Sequence, residues 1–122
     1  MIEILIVEDR NSISDVIKDI LVSKDFRVVG QAGTAREAID LYEEKNPDLV
    51  LMDLLLPDMS GIEATRKIME KHPDARVIAV TALSREGVMD DCIKAGCRSF
   101  LVKPFRVKDL VDTVDEVLGA EK

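Results

Sequence analysis

The feature that most constrains this chain is an alternation. Five short apolar runs, IEILIV (2–7), FRVVGQA (26–32), DLVLM (48–52), RVIAV (76–80) and SFLV (99–102), are separated by segments with helical spacing. Each run is rich in Val, Ile or Leu and too short for a core helix, so each predicts a strand. The first, third and fourth are almost uninterrupted by polar residues, as in strands covered on both faces. Between the runs, Ile13, Ile17, Ile20 and Leu21 share one helical face, as do Ala35, Ala38, Ile39 and Tyr42. Thr34 with Glu37 has the spacing of a capping box, and Ser60 with Glu63 repeats it ahead of Ala64, Thr65, Ile68 and Met69. Val88, Cys92 and Ile93 mark a weaker fourth helix, broken early by Gly87, and Val107, Leu110, Val111, Val114 and Leu118 mark a fifth. Helices are expected to stop at KNP, KHP and the AG of 95–96. The expected fold class is therefore α/β: five βα units with short connections, forming a doubly wound parallel sheet with helices on both faces. Residues 1–122 read as one domain, long enough for its own core, with no internal repeat or linker.

Charge narrows the function classes. A net charge of -7 argues against binding a phosphate backbone, which needs a basic surface. No apolar run approaches the roughly 20 residues of a membrane span, and MIEILIVEDR lacks a signal-peptide pattern. The expected compartment is the cytoplasm, with neither nucleic acid nor membrane as a direct partner. Cys92 and Cys97, in CIKAGC, have neither redox-motif nor metal spacing and are read as buried apolar residues, with a regulatory thiol as the alternative. The single His72, beside Pro73, reads as a surface helix end.

The residues that follow the runs carry the chemistry. In DLVLMDLLLPDMSG (48–61), Asp53 sits among residues that are almost all apolar, a costly setting for a carboxylate unless something compensates it. The first run is followed by Glu8 and Asp9, the fourth by Thr81, and the fifth by Lys103 and Pro104. Ligands of open α/β sheets bind outside the carboxyl ends of the strands, so these groups are expected at one edge. Crowded carboxylates repel, and a divalent cation relieves them. Mg²⁺ takes oxygen ligands, commonly one or two carboxylates plus a phosphate, so Glu8, Asp9 and one oxygen of Asp53 are candidate ligands. A carboxylate can also act as a nucleophile and form an aspartyl phosphate. The charge of the transferred group would then be met by the metal, the Lys103 ammonium and the Thr81 hydroxyl.

In combination, the acidic pair of VEDR, DLLLPDMSG, VTA and KPF make the chain resemble the receiver domains of two-component response regulators, the CheY-like family, over essentially its whole length. The resemblance implies a flavodoxin-like strand order, 2-1-3-4-5. It implies Asp53 as phospho-acceptor, and Glu8, Asp9, Asp53 and the backbone carbonyl of Leu55 as Mg²⁺ ligands, with Mn²⁺ as the alternative metal. It makes Lys103 the phosphoryl-binding lysine, Thr81 and Phe100 the switch pair, and the bond before Pro104 cis. The implied function is a signalling switch that promotes its own phosphorylation and dephosphorylation rather than a turnover enzyme. The phosphoryl donor would be a histidine kinase, a phosphotransfer protein or a small donor such as acetyl phosphate. The output would be a downstream target protein on the surface of the fourth helix, fifth strand and fifth helix, with a phosphorylation-dependent homodimer as a further partner. Departures from the family pattern are mild: Glu8 stands where Asp is commoner, Leu56 where Met is common, and Phe100 has no phenolic hydroxyl. Leu55 and Leu83, each two positions past a site residue, are apolar and imply slow loss of the phosphoryl group.

Two other classes fit less well. A phosphatase of the haloacid dehalogenase type needs a D-x-D motif after its first strand, where this chain has VEDRN. A flavodoxin-like FMN module needs a hydroxyl- and glycine-rich loop there, and two carboxylates would repel the phosphate. With no basic helix or second domain after Gly119, the ending GAEK favours a stand-alone receiver over one cut from a longer chain.

Overall fold

The computed structural model describes residues 1–82 and 87–119. Five strands form one parallel sheet: β1 (Glu3–Val7), β2 (Arg27–Ala32), β3 (Leu49–Asp53), β4 (Val77–Thr81) and β5 (Ser99–Val102), in the order β2-β1-β3-β4-β5. The intervening helices are α1 (Asn11–Ser23), α2 (Ala35–Lys45), α3 (Gly61–Lys71), α4 (Val88–Ala95) and α5 (Val107–Gly119). Every apolar run became a strand, and the strand order is the one expected. Among the described residues, no helix is long and apolar enough to cross a membrane.

Strand alternation divides the core in two. Ile4, Ile6, Leu49, Leu51, Ile78, Val80 and Leu101 face one side, against Ile17 and Leu21 of α1 and Leu110, Val114 and Val117 of α5. Leu5, Val7, Val50, Met52, Val77 and Ala79 face the other, against Ala35, Ala38 and Tyr42 of α2, Ala64 and Ile68 of α3 and Cys92 of α4. Central strands β3 and β4 are buried along their whole length, while β2 closes one edge and is mostly half-buried. That is why the runs of β1, β3 and β4 are almost uninterrupted by polar residues and that of β2 is not. On the helices the periodicity overreached at two positions: Ile93 and Val107 are 57% and 51% exposed.

The helix ends follow local chemistry, with one correction. The Thr34 hydroxyl accepts the Glu37 N–H at 3.1 Å, and the Glu37 carboxylate returns to the N–H of Gly33 at 3.3 Å, closing a box one residue early. At α3 the expected box does not form. Ser60 instead accepts the N–H of Ile62 at 3.1 Å, and Glu63 turns outward to Arg66 at 3.2 Å. His72 ends α3 as expected, its Nε2 2.7 Å from a Glu43 oxygen and its ring against Tyr42.

The cysteines sit in the C-terminal turn of α4. Gly96 adopts φ +116°, its N–H donates to the Ile93 carbonyl at 3.0 Å, and the Cys97 N–H donates to the Cys92 carbonyl at 2.9 Å. This is a Schellman motif, which brings the side chains at its two ends together. Both thiols are free and buried. Burial foremost pushes the Cys97 thiol from an ordinary 9.0 up to about 12. A thiol reagent at pH 8 is therefore expected to label Cys97 only after denaturation, because the thiolate is the reactive form. The unfolded chain loses this proton first, so stability should fall as the pH rises from about 9 toward about 12, as denaturant titrations across that range would show.

Candidate functional site

Parallel register explains how four strands deliver their last residues to one place. Val7 pairs with Met52, Asp53 with Val80, and Thr81 with Val102, so successive ends are offset by no more than a step. The ladder runs one residue past β1 and β5: the Glu8 N–H donates to Ala32 at 2.9 Å and the Lys103 N–H to Thr81 at 2.8 Å. Strand alternation then sorts the side chains. Glu8, Asp53 and Lys103 continue the series of Ile6, Leu51 and Leu101, on the α1–α5 side. Thr81 continues the series of Ala79, and Phe100, paired with Ala79, packs against the core on the α2–α4 side.

Glu8 is 4% exposed and Asp53 6%, whereas Asp9 is open to solvent. Asp53 is thus buried, and it is compensated rather than stranded. The Lys103 ammonium donates to Asp53 Oδ2 at 3.1 Å and to Glu8 Oε1 at 2.5 Å. The other oxygens are engaged too: Asp53 Oδ1 accepts the Leu55 N–H at 3.0 Å, and Glu8 Oε2 accepts the Arg10 N–H at 3.2 Å. Burial of Lys103 works against its charge, but the bond to Glu8 and the charge of Asp53 outweigh it and hold its pKa above the ordinary lysine value. Thr81 is fully buried at the end of β4, and the Lys103–Pro104 peptide is cis, as expected.

One oxygen each from Glu8, Asp9 and Asp53 lie within 4.8 Å of one another. They open on a cavity of about 220 Å³ that Arg10, Ile13, Leu55, Ala82 and Lys103 also line. Three carboxylates against one ammonium leave an excess of negative charge, and all the donors are oxygen. That set fits a hard divalent cation such as Mg²⁺.

The structure thus brings together Glu8, Asp9, Asp53 and Lys103, puts Leu55 on the cavity wall, and places Thr81 and Phe100 on the other sheet face. Leu55 is 55% exposed, so its side chain screens the site on one side only. Leu83 lies outside the described residues. Sequence reasoning missed the direct Glu8–Lys103 contact and the wall formed by Arg10, Ile13 and Ala82, since both depend on how loops fold back over the strand ends. Gly61 serves a close approach. A Cβ there would lie 2.1 Å from the Asp53 carbonyl oxygen, so only glycine lets α3 begin against the end of β3.

Removing the lysine should expose the imbalance. Lys103→Met keeps the bulk but leaves buried carboxylates unpaired, and is expected to destabilise the metal-free protein by about 3 kcal/mol. Mg²⁺ should raise its urea midpoint by more than that of the parent; an equal rise would argue against the ammonium as the compensating charge.

The model of the response regulator receiver domain matches residues 4–115. The chemotaxis protein CheY of Listeria monocytogenes is 38% identical over 116 residues, spanning 95% of this chain and 98% of that protein. A chain of the CheX–CheY–BeF3–Mg²⁺ complex from Borrelia burgdorferi superposes with a TM-score of 0.92 at 32% identity, covering 96% of this chain and 89% of its own. A CheY-like receiver domain protein of Methanospirillum hungatei gives 0.92 at 32% identity, over 98% of this chain and 95% of its own. The sheet order, the acidic edge and these matches have one reading: the chain belongs to the receiver domains of two-component response regulators.

Proposed function

We propose that the chain is a phosphorylation-dependent switch in which Asp53 accepts a phosphoryl group from a phosphohistidine or a small donor such as acetyl phosphate. The observation that carries this is the Lys103 ammonium, held between Asp53 and Glu8 at the rim of the oxygen-lined cavity. Asp53 Oδ2, the oxygen that accepts from Lys103, attacks phosphorus, and the bond from phosphorus to the donor breaks with its electron pair, releasing imidazole from a phosphohistidine or acetate from acetyl phosphate. Lys103 neutralises one phosphoryl oxygen and the Thr81 hydroxyl donates to another. Glu8, Asp9, Asp53 and the Leu55 carbonyl would hold Mg²⁺, or Mn²⁺ in its place, and the ion when bound would supply charge neutralisation. The chain promotes its own phosphorylation and dephosphorylation, acting as a signalling switch rather than a turnover enzyme.

The readout uses the opposite sheet face. Drawing Thr81 toward the new dianion vacates space beside Phe100, whose ring moves inward, and the α4–β5–α5 surface changes shape. That surface already exposes Met89, Ile93 and Val102, an apolar patch suited to a target protein or to a second copy of the chain. On the donor side, the acceptor cavity shares Arg10, Ile13, Ala82 and Lys103 with a larger apolar groove of about 720 Å³ between α1 and the segment leading into α5. A histidine kinase or phosphotransfer protein placing its imidazole at Asp53 must lie over this groove. The haloacid dehalogenase reading loses ground, because the buried acceptor follows β3 and not β1.

The direct test is Asp53→Ala, followed by NMR with beryllofluoride or acetyl phosphate. The parent should show a Mg²⁺-dependent change reaching Phe100 and α4, and the variant none; the same change in the variant would remove Asp53 as acceptor. Hydrolysis gives a second measurement. Leu55 offers no hydrogen bond to an attacking water, so Leu55→Asn is expected to speed phosphate release about two- to tenfold, the worth of one such bond. An unchanged rate would exclude Leu55 from control of that step.

A further inference from the structure

The loop of residues 54–60 leaves the site carrying Leu55, and it is anchored outside the site as well as within it. The Asp58 carboxylate reaches across to α2, where Oδ1 accepts the Ala35 N–H at 2.8 Å and Oδ2 accepts the Arg36 N–H at 2.9 Å. These are the first N–H groups of the helix, which have no partner within it. The local cap, Thr34, takes only the next donor, that of Glu37. Two independent devices therefore close the N-terminus of α2, and one of them belongs to the loop that flanks the acceptor. Bonds from the backbone, that of Ala35 foremost, hold the Asp58 carboxyl below its ordinary value against the opposing effect of desolvation, so it is charged throughout the neutral range.

At its other end the loop grips the acceptor. The Leu55 N–H donates to Asp53 Oδ1 at 3.0 Å, Leu55 bridges antiparallel to Ser60, and the Gly61 N–H donates to the Leu54 carbonyl at 3.0 Å. The loop thus spans from the acceptor to a neighbouring helix, with a charged bond at the far end. We propose that Asp58 is a positioning residue: by tying the loop to the first turn of α2, it sets the orientation of the Leu55 backbone, whose N–H serves Asp53 and whose carbonyl would serve the metal. The role at the metal rests on the function proposed above, whereas the tether to Asp53 does not.

The test pairs Asp58→Ala with Thr34→Ala in the otherwise unaltered chain. Mg²⁺ affinity is measured by calorimetry, and amide hydrogen exchange by NMR without metal. Asp58→Ala should weaken Mg²⁺ binding roughly tenfold, the lower end of what outer-shell partners contribute, and speed exchange at Leu55 and Gly61. Asp58→Asn, which retains one acceptor oxygen, should recover part of both. Thr34→Ala weakens the same helix end without touching the loop and should change neither. Parent-like Mg²⁺ binding and exchange in Asp58→Ala would overturn the proposal, as would equal effects from Thr34→Ala, which would make the role one of helix stability. If the parent itself bound no Mg²⁺, the reading of the site would fall, while the exchange rates would still decide the tether.

Discussion

Three carboxylates crowded at the end of a parallel sheet, with one ammonium among them, set the terms for the rest of this structure. Two of the three are almost fully buried. Unpaired charges in that position would cost several kcal/mol each, more than a domain of this size can spare. Lys103 bridges Glu8 and Asp53 and removes most of the penalty, but it cannot neutralise three charges. The site is left folded yet electrostatically unsatisfied, and the residual charge is what a divalent cation would relieve. Glu8 matters here in a way a shorter side chain would not. Its extra methylene lets one oxygen meet Lys103 while the other accepts the Arg10 N–H.

That arrangement depends on the parity of the strands. Because alternate residues point to opposite faces, the acceptor, the lysine and Glu8 fall on the α1–α5 side, and Thr81 and Phe100 on the other. The carboxylate–lysine cluster and the Thr81–Phe100 pair are thereby placed on opposite faces of one sheet. Asp53 is central enough to be linked to both, through its bond to Lys103 and through its ladder pairing with β4. A shift of one residue in any strand would reverse this assignment, and burial of both faces is what fixes the register. The apolar core and the site are consequences of one constraint. A switch built this way needs only a modest bias, because a hydrogen bond to a charged group contributes about 1.5–3 kcal/mol.

The sequence disclosed most of this because its signals are local. Uninterrupted apolar runs mark buried strands, and the residues that follow them name the site. The parts it concealed are tertiary. Ser60 and Glu63 have capping-box spacing, but the close start of α3 against Asp53 redirects the hydroxyl to Ile62 and frees Glu63 for Arg66. The sequence groups Ile93 with Val88 and Cys92, yet among the described residues no element covers that part of α4. The bonds from Asp58 to α2 cross 22 and 23 residues, and no spacing rule reaches so far. An aspartate after a proline reads as a turn former whether or not it also closes a distant helix.

The way the acceptor is held limits what can move. The Asp53 backbone is paired with β4, one residue past the last pair with β1, and Gly61 packs against its carbonyl too closely for any side chain. One carboxylate oxygen is committed to the Leu55 N–H. A group added to the other oxygen cannot be accommodated by shifting β3 without breaking the sheet, so its charge must be met by whatever is free to rearrange. Lys103 is suited to this, because it leads from the short β5 on a flexible four-carbon stem and its partner at Asp53 is the oxygen that would be modified. Were Lys103 to follow a phosphoryl group on that oxygen, as the proposed function requires, it would loosen its hold on Glu8 and leave that carboxylate available to a cation. The same rigidity that makes Asp53 a poor hinge makes it a good fulcrum: strain arising there passes outward to β4, β5 and the loop, where the structure has side chains able to turn.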